Sequence, residues 1–297
     1  MTRSTPTPQT TLIRVFPAPT PEGKQQGGNP APITFEADAL DGDAMRAIAS
    51  HYGHEAGFIL RPSSPGCDWR FRFFVPHHEM EMCGHATVGA LWCLRERGLW
   101  SGERVLIETV SGTVAGEWVD RQVRITQPAG EVSVLDADAV AAIAKVLGIP
   151  SAHIQGEVLN ASTSRVKTLV RLQSVEALDG LTPDFSKVEA LCERLGSTGL
   201  YPYAVVDGAR QVFAARQFPK SSGYPEDAAT GIAAAALSFG LLHLGLVDAS
   251  GAPITVRQGW AMGCPSEIGV CFRLEAGEVA GCWLGGEVML AGPEAAL

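Results

Sequence analysis

Two stretches of the chain carry an apolar stripe at helical spacing behind an Asp and stop at a Gly. Asp41 to Tyr52 places Met45, Ile48, Ala49 and Tyr52 on one face before Gly53, and Asp184 to Leu195 places Val188, Leu191, Cys192 and Leu195 before Gly196. The i, i+3, i+4, i+7 pattern predicts amphipathic helices with one face on a core. Two further Ala-rich stretches, Ala86 to Arg97 and Ile232 to Leu244, open on Gly and stop at Gly98 and Gly245, a common left-handed stop signal. Short β-rich runs fill the rest. They are Thr11 to Phe16, Gly57 to Leu60, Trp69 to Val75, Val105 to Thr109 and Val123 to Thr126, then Val166 to Leu172, Ala204 to Val206, Val212 to Arg216, Ile254 to Arg257 and Val270 to Leu274.

These elements recur. Sliding the sequence by 147 residues over positions 71–112 gives nine identities in 42, among them Glu79/Glu226, Gly84/Gly231, Gly98/Gly245 and Gly112/Gly259; composition alone gives about three. The two amphipathic helices repeat at a shift of 143, so roughly four residues separate the two spacings. The chain therefore reads as two copies of one α+β unit meeting near Pro128 to Val134. The expected domains are 1–128, completed by 284–297, and 129–283. A cleft between related domains is a natural place for a ligand.

Charge and composition narrow the partners. The chain has 297 residues, 46% hydrophobic, with a formal net charge of −9 and no basic run. That balance argues against nucleic acid or an anionic membrane as partner. The longest apolar stretch, Ile232 to Val247, is broken by Ser238, Gly240, His243 and Gly245, too short for a span. The Thr/Pro-rich start has no apolar signal region, so a cytoplasmic location is expected. Seven cysteines without a C-x-x-C pair read as reduced thiols.

The matched loops Cys83-Gly84-His85 and Thr230-Gly231-Ile232 each put Gly at a helix start. Exposed amides and the positive end of the helix dipole suit such a place to a carboxylate. The alternative is that each Gly only permits close helix packing. His77-His78-Glu79 contains metal-ligand types, but neighbours on a strand point to opposite faces, so no metal is expected there.

Phe74 to Glu79 reads F-x-P-x-x-E, Cys83 to Thr87 reads C-G-H-A-T, and Glu226 to Gly231 reads E-D-x-x-T-G. Gly28 to Pro30 is G-N-P, and Gln258 to Ser266 is Q-G-x-x-M-G-x-P-S. Taken together, the motifs resemble the PhzF-type isomerases of phenazine biosynthesis over nearly the whole chain. The resemblance implies the diaminopimelate-epimerase-like fold: two pseudo-symmetric domains, each a curved β-sheet or barrel wrapped round a central helix. Those helices would be Ala86 to Arg97 and Ala233 to Leu244, whose Ala and Gly content suits a helix enclosed on all sides. It also implies a metal-free, cofactor-independent isomerase, a homodimer, acting by a proton shift on a small carboxylate-bearing metabolite.

By the same resemblance Glu55, in His54-Glu55-Ala56-Gly57-Phe58-Ile59, is the proton carrier, and a carboxylate beside an apolar strand suits that role. The repeat offers Pro202 or a neighbour as its counterpart, which implies one base acting on one face. Asp227 is a second acid or a helix cap, and His85 assists proton relay or binding. Asn29, Cys83, Gly84, Thr230, Gly231 and Ile232 are the substrate-binding candidates. Related epimerases and racemases use a thiol from each domain, yet the second loop has no cysteine to match Cys83. Cys83 is therefore read as a small packing residue, with a reactive thiol at a helix start as the alternative. Ile232, Ala56, Gly57 and Cys264 depart from the family pattern and imply a pocket with fewer donors than one for a dihydro-hydroxyanthranilate. A racemase or epimerase using Cys83, and a non-catalytic binder, are the competing readings.

Overall fold

The computed structural model describes residues 8–292. By contacts the chain forms two units, Met1–Thr126 with Gly285–Leu297, and Gln127–Leu284. The first seven residues of the Thr/Pro-rich start, and residues 293–297 of the segment expected to complete the first domain, lie outside the described residues.

In the first unit the strand Gln9–Val15 pairs antiparallel with both Asn29–Phe35 and Val288–Leu290. Asn29–Phe35 then runs parallel to Ala56–Leu60, where only Ile33 and Thr34 pair. Pro30 and Pro32 have no N–H with which to extend that ladder. Trp69–Phe74 follows antiparallel, Arg104–Thr109 parallel to it, and Gly112–Val119 antiparallel again. Helix α1, Gly42–Tyr52, lies between the first parallel pair in sequence. Asp41 accepts from the Ala44 N–H at its start and Gly53, at φ 69°, ends it, while Met45 and Ala49 are buried against Phe58 and Phe74. Helix α2, Gly84–Glu96, is buried from Gly84 through Leu91 and again at Cys93 and Leu94. Its small residues allow this: a Cβ on Gly89 would collide with Ile13, and Gly57 lies against Ala86.

The second unit repeats the succession. Leu159–Ser162 pairs antiparallel with Lys167–Arg171, which is parallel to Gly199–Asp207. Antiparallel Val212–Ala215, parallel Ile254–Gln258 and antiparallel Ser266–Glu275 follow. Four helices accompany them: α3, Ala137–Leu147; α4, Val175–Asp179; α5, Phe185–Leu195; and α6, Gly231–His243. Helix α5 buries Val188, Leu191 and Cys192 and ends at Gly196, φ 65°, as α1 ends at Gly53. Helix α6 is buried at Gly231 and from Ala233 through Leu241, so both Ala-rich helices are enclosed where an all-apolar surface predicts it. Here too a glycine sets the approach, since a Cβ on Gly240 would collide with Leu169.

The fold is thus a mixed α and β architecture with one enclosed helix per unit. Several elements lie outside the runs that the sequence pattern marks, among them the strands Asn29–Phe35, Gly112–Val119, Leu159–Ser162 and Glu278–Gly286 and the helices α3 and α4. Asn29–Phe35 contains two prolines in seven residues, and α3 has no counterpart in the repeat although Asp136 and Gly148 cap it in the ordinary way. No helix among the described residues is long and apolar enough to cross a membrane.

Candidate active site

Glu55 sits between Gly53, which turns the chain out of α1, and the fully buried strand Ala56–Leu60. That placement anchors its backbone on both sides while leaving the side chain 26% exposed. Cys83 is the N-cap of α2, in extended backbone geometry, and its side chain makes no capping hydrogen bond. The thiol donates to Glu55 Oε2 at 3.0 Å and lies 3.5 Å from His85 Nδ1, which is itself 3.6 Å from Glu55 Oε2. His85 is buried, and among the described residues its Nε2 meets no hydrogen-bond partner, so the ring's polar contacts are made at Nδ1. Carboxylate, thiol and imidazole therefore form a closed triangle of proton-holding groups. Next to it, burial, Arg14 and His85 hold the His54 imidazole below its usual range against the pull of Glu55, favouring a neutral ring. Cys83 is buried, as a small packing residue would be, and its sulfur faces the Glu55 carboxylate.

Helices α1, α3 and α4 are closed at their starts by the side chains of Asp41, Asp136 and Ser174. The two enclosed helices are built differently. At α2 the Cys83 thiol is directed to Glu55, and at α6 the Thr230 hydroxyl donates to Asp227 Oδ2 at 2.5 Å. The first-turn amides beginning at Gly84 and Gly231 are thereby left without a side-chain cap from these residues, which is the condition for binding an anion.

In the second unit Asp227 belongs to a polar network that the sequence pattern did not reveal. Fully buried Gln258 donates to the Asp227 carbonyl at 2.7 Å and to Thr230 Oγ1 at 3.0 Å, and its Oε1 accepts from the Tyr201 hydroxyl at 2.8 Å and the Thr230 N–H at 3.3 Å. Ser266 donates to the carbonyls of Ala228 and Gln258. Gly259, at φ 77°, allows that approach, because a Cβ there would strike the carbonyl oxygens of Cys264 and Ala228. The Q-G-x-x-M-G-x-P-S segment thus acts as the support of the Asp227 to Gly231 loop. Burial, with Asp227 nearby, pushes the Tyr201 phenol well above its ordinary range, so it is a fixed donor.

Several expectations change. The helix cap at α6 is Thr230, and Asp227 stands three residues before it. His77 and His78 lie exposed in the turn after Trp69–Phe74, not on a strand, while Glu79 accepts two N–H groups from Arg72 at 2.7 Å each. Glu226, its repeat partner, is held the same way by Arg216 at 2.8 and 2.7 Å, and Arg216 also donates to the carbonyls of Leu178, Asp179 and Leu181. The matched glutamates are each clamped by an arginine, Glu79 between the paired strands Trp69–Phe74 and Glu79–Met80 and Glu226 between two non-strand segments. The Gly53/Gly196 equivalence puts Thr198, not Pro202, at the repeat position of Glu55, and Thr198 Oγ1 donates to the Val166 carbonyl at 2.8 Å. His85 corresponds to Ile232, which is half-buried at the start of α6. Asn29 opens its strand opposite Val15, directly after Gly27 and Gly28 at φ 69° and 75°.

A family model for PhzC-PhzF, a phenazine biosynthesis-like protein, matches residues 23–282. The chain belongs to this family. Among its relatives, a protein of Deinococcus radiodurans named an uncharacterized isomerase is 34% identical over 274 residues, covering 86% of this chain and 87% of that one. The trans-2,3-dihydro-3-hydroxyanthranilate isomerase of Pseudomonas aeruginosa is 32% identical over 270 residues, covering 86% and 90%. A phenazine biosynthesis protein of the PhzF family from Bacillus anthracis superimposes with a TM-score of 0.82 at 23% identity, covering 96% of this chain and 98% of that one, and shows the shared fold. The PhzF family member described here is accordingly an isomerase.

Proposed function

We propose that this PhzF-family isomerase catalyses a cofactor-independent proton shift on a small carboxylate-bearing metabolite, with Glu55 as the proton carrier. The observation that supports this most directly is the Glu55–Cys83–His85 triangle at the start of α2. A carboxylate within reach of two other proton-holding groups can take a proton from one substrate carbon and return it to another as a double bond moves. No electrons leave the substrate in such a step. The first-turn amides of α2 suit the substrate carboxylate, and His85 holds the carrier in place. Asp227, presented by the Gln258 network, is proposed as a second acid.

The Pseudomonas aeruginosa relative is named for trans-2,3-dihydro-3-hydroxyanthranilate. Ile232 puts an apolar side chain at the start of α6, which favours a less polar carboxylate than that compound. Thiol-based racemisation is disfavoured because Thr230 occupies the repeat position of Cys83.

Turnover in D₂O separates the readings. Incubation with trans-2,3-dihydro-3-hydroxyanthranilate and a panel of small unsaturated carboxylates, read by mass spectrometry and NMR, should give a shifted double bond with deuterium delivered to one face. Inverted stereochemistry without bond migration would support the racemase. A bound ligand that never exchanges a proton would make the protein a binder.

A further inference from the structure

The oxygen, sulfur and nitrogen atoms of Glu55, Cys83 and His85 lie within 4.8 Å of one another, at separations of 3.0, 3.5 and 3.6 Å. A tetrahedral zinc ion, at about 2.3 Å from sulfur and about 2.0–2.2 Å from nitrogen or oxygen, holds such ligands about 3.3–3.6 Å apart, which the 3.5 and 3.6 Å pairs meet as they stand and the 3.0 Å sulfur–oxygen pair meets by opening about half an ångström as the hydrogen bond between them is replaced. We propose that Glu55, Cys83 and His85 form a three-ligand site for Zn²⁺ or a similar thiophilic divalent cation, and that the ion inhibits the enzyme reversibly by occupying the atoms that otherwise exchange protons.

The donor set favours a thiophilic ion. One thiolate, one imidazole and one carboxylate match the softness of Zn²⁺, whereas Mg²⁺ and Ca²⁺ prefer oxygen alone. Binding forms the Zn–S bond as the Cys83 proton passes to solvent, and thiolate plus carboxylate then balance the charge of the ion. Three protein ligands leave the fourth position to water, the arrangement of an open site. Metal-bound histidines ordinarily donate their other N–H to a partner, whose loss weakens metal affinity by about 10- to 100-fold. His85 Nε2 meets no partner among the described residues, so occupancy should be reversible by a chelator.

The inhibitory half of the proposal rests on Glu55 being the proton carrier; the binding half does not. The two are read separately. Co²⁺ titrated into the purified full-length protein should give a one-to-one complex with a thiolate charge-transfer band near the ultraviolet edge and the intense visible bands of a tetrahedral site. Zn²⁺ should displace Co²⁺ and EDTA should reverse both. Cys83→Ala, Cys83→Ser and His85→Ala should each lower the affinity at least about tenfold while circular dichroism is unchanged. Cys67→Ala, at the half-exposed Cys67 beside Thr113, should leave binding as in wild type. Absence of the charge-transfer band, or its persistence in Cys83→Ser, would overturn the site. If the complex forms but Zn²⁺ leaves turnover unchanged, the inhibitory role is overturned while the metal site stands. If no substrate is turned over, Co²⁺ binding still tests the site independently of the proposed activity.

Discussion

The Cys83 thiol donates to the Glu55 carboxylate at 3.0 Å, although the two residues stand 28 positions apart and neither neighbours the other in the sheet or helix that carries it. The contact aims the thiol proton at the same carboxylate oxygen that His85 Nδ1 approaches at 3.6 Å. It makes the division of labour between carboxylate and thiol a measurable question.

Glu55→Gln keeps size and one acceptor and removes the proposed proton carrier. Turnover should fall at least about 10²-fold with substrate affinity largely kept, measured as kcat beside an equilibrium Kd. Cys83→Ala should cost much less. A dead Cys83→Ala beside a near-normal Glu55→Gln would assign the chemistry to the thiol.

Gln258→Leu should destabilise the protein by about 2–4 kcal/mol, because the buried Tyr201 hydroxyl, the Asp227 carbonyl and Thr230 all lose a partner. Urea denaturation checks the size. Adding Tyr201→Phe to Gln258→Leu should cost less than the sum of the single changes, since the orphaned hydroxyl then disappears. Strict additivity would mean that the two side chains are not coupled.

Gly259 and Gly263 both have positive φ, 77° and 69°, but only at Gly259 would a Cβ meet backbone oxygens. Gly263→Ala should cost about 1–2 kcal/mol from the left-handed conformation alone. Gly259→Ala should cost about 1–3 kcal/mol more and loosen the Asp227 loop. Equal costs in a paired urea titration would contradict the close approach.

Glu108 accepts from the Ser63 hydroxyl and from the Ser63 and Ser64 N–H groups, at 2.5, 2.7 and 2.8 Å, and these contacts hold its carboxyl down to about 2. A depressed carboxyl favours the folded state above its unfolded value, about 4.3, and that contribution is lost as pH falls towards about 2. Wild type should therefore lose its stability advantage over Glu108→Gln between those limits. Urea midpoints of the two proteins should converge in acid; a constant gap would show that the carboxylate charge is not what holds the 63–64 turn.

Local pattern was enough for the helices whose fate depends on nearby residues. The stripe Met45, Ile48, Ala49 and Tyr52 and the all-apolar Ala233 to Leu241 each state which faces must leave water, and Gly53, Gly196, Gly98 and Gly245 state where the helix ends. The 147-residue repeat also made the common architecture of the two units legible, because duplicated packing needs duplicated small residues and stops. Family motifs pointed to Glu55, Asp227 and His85, while the particular use of each motif glutamate stayed hidden. Glu79 and Glu226 look as available as Asp227 in one dimension; only the fold brings Arg72 and Arg216 onto them. The strand Asn29–Phe35 was hidden for a related reason, since its prolines forbid a ladder in general but are tolerated where the parallel partner begins at Ile33. Gln258 shows the same limit: its amide reaches Asp227 across 31 positions of chain, and a hydrogen bond of that span depends on strand register and glycine-permitted backbone approach that no local pattern encodes.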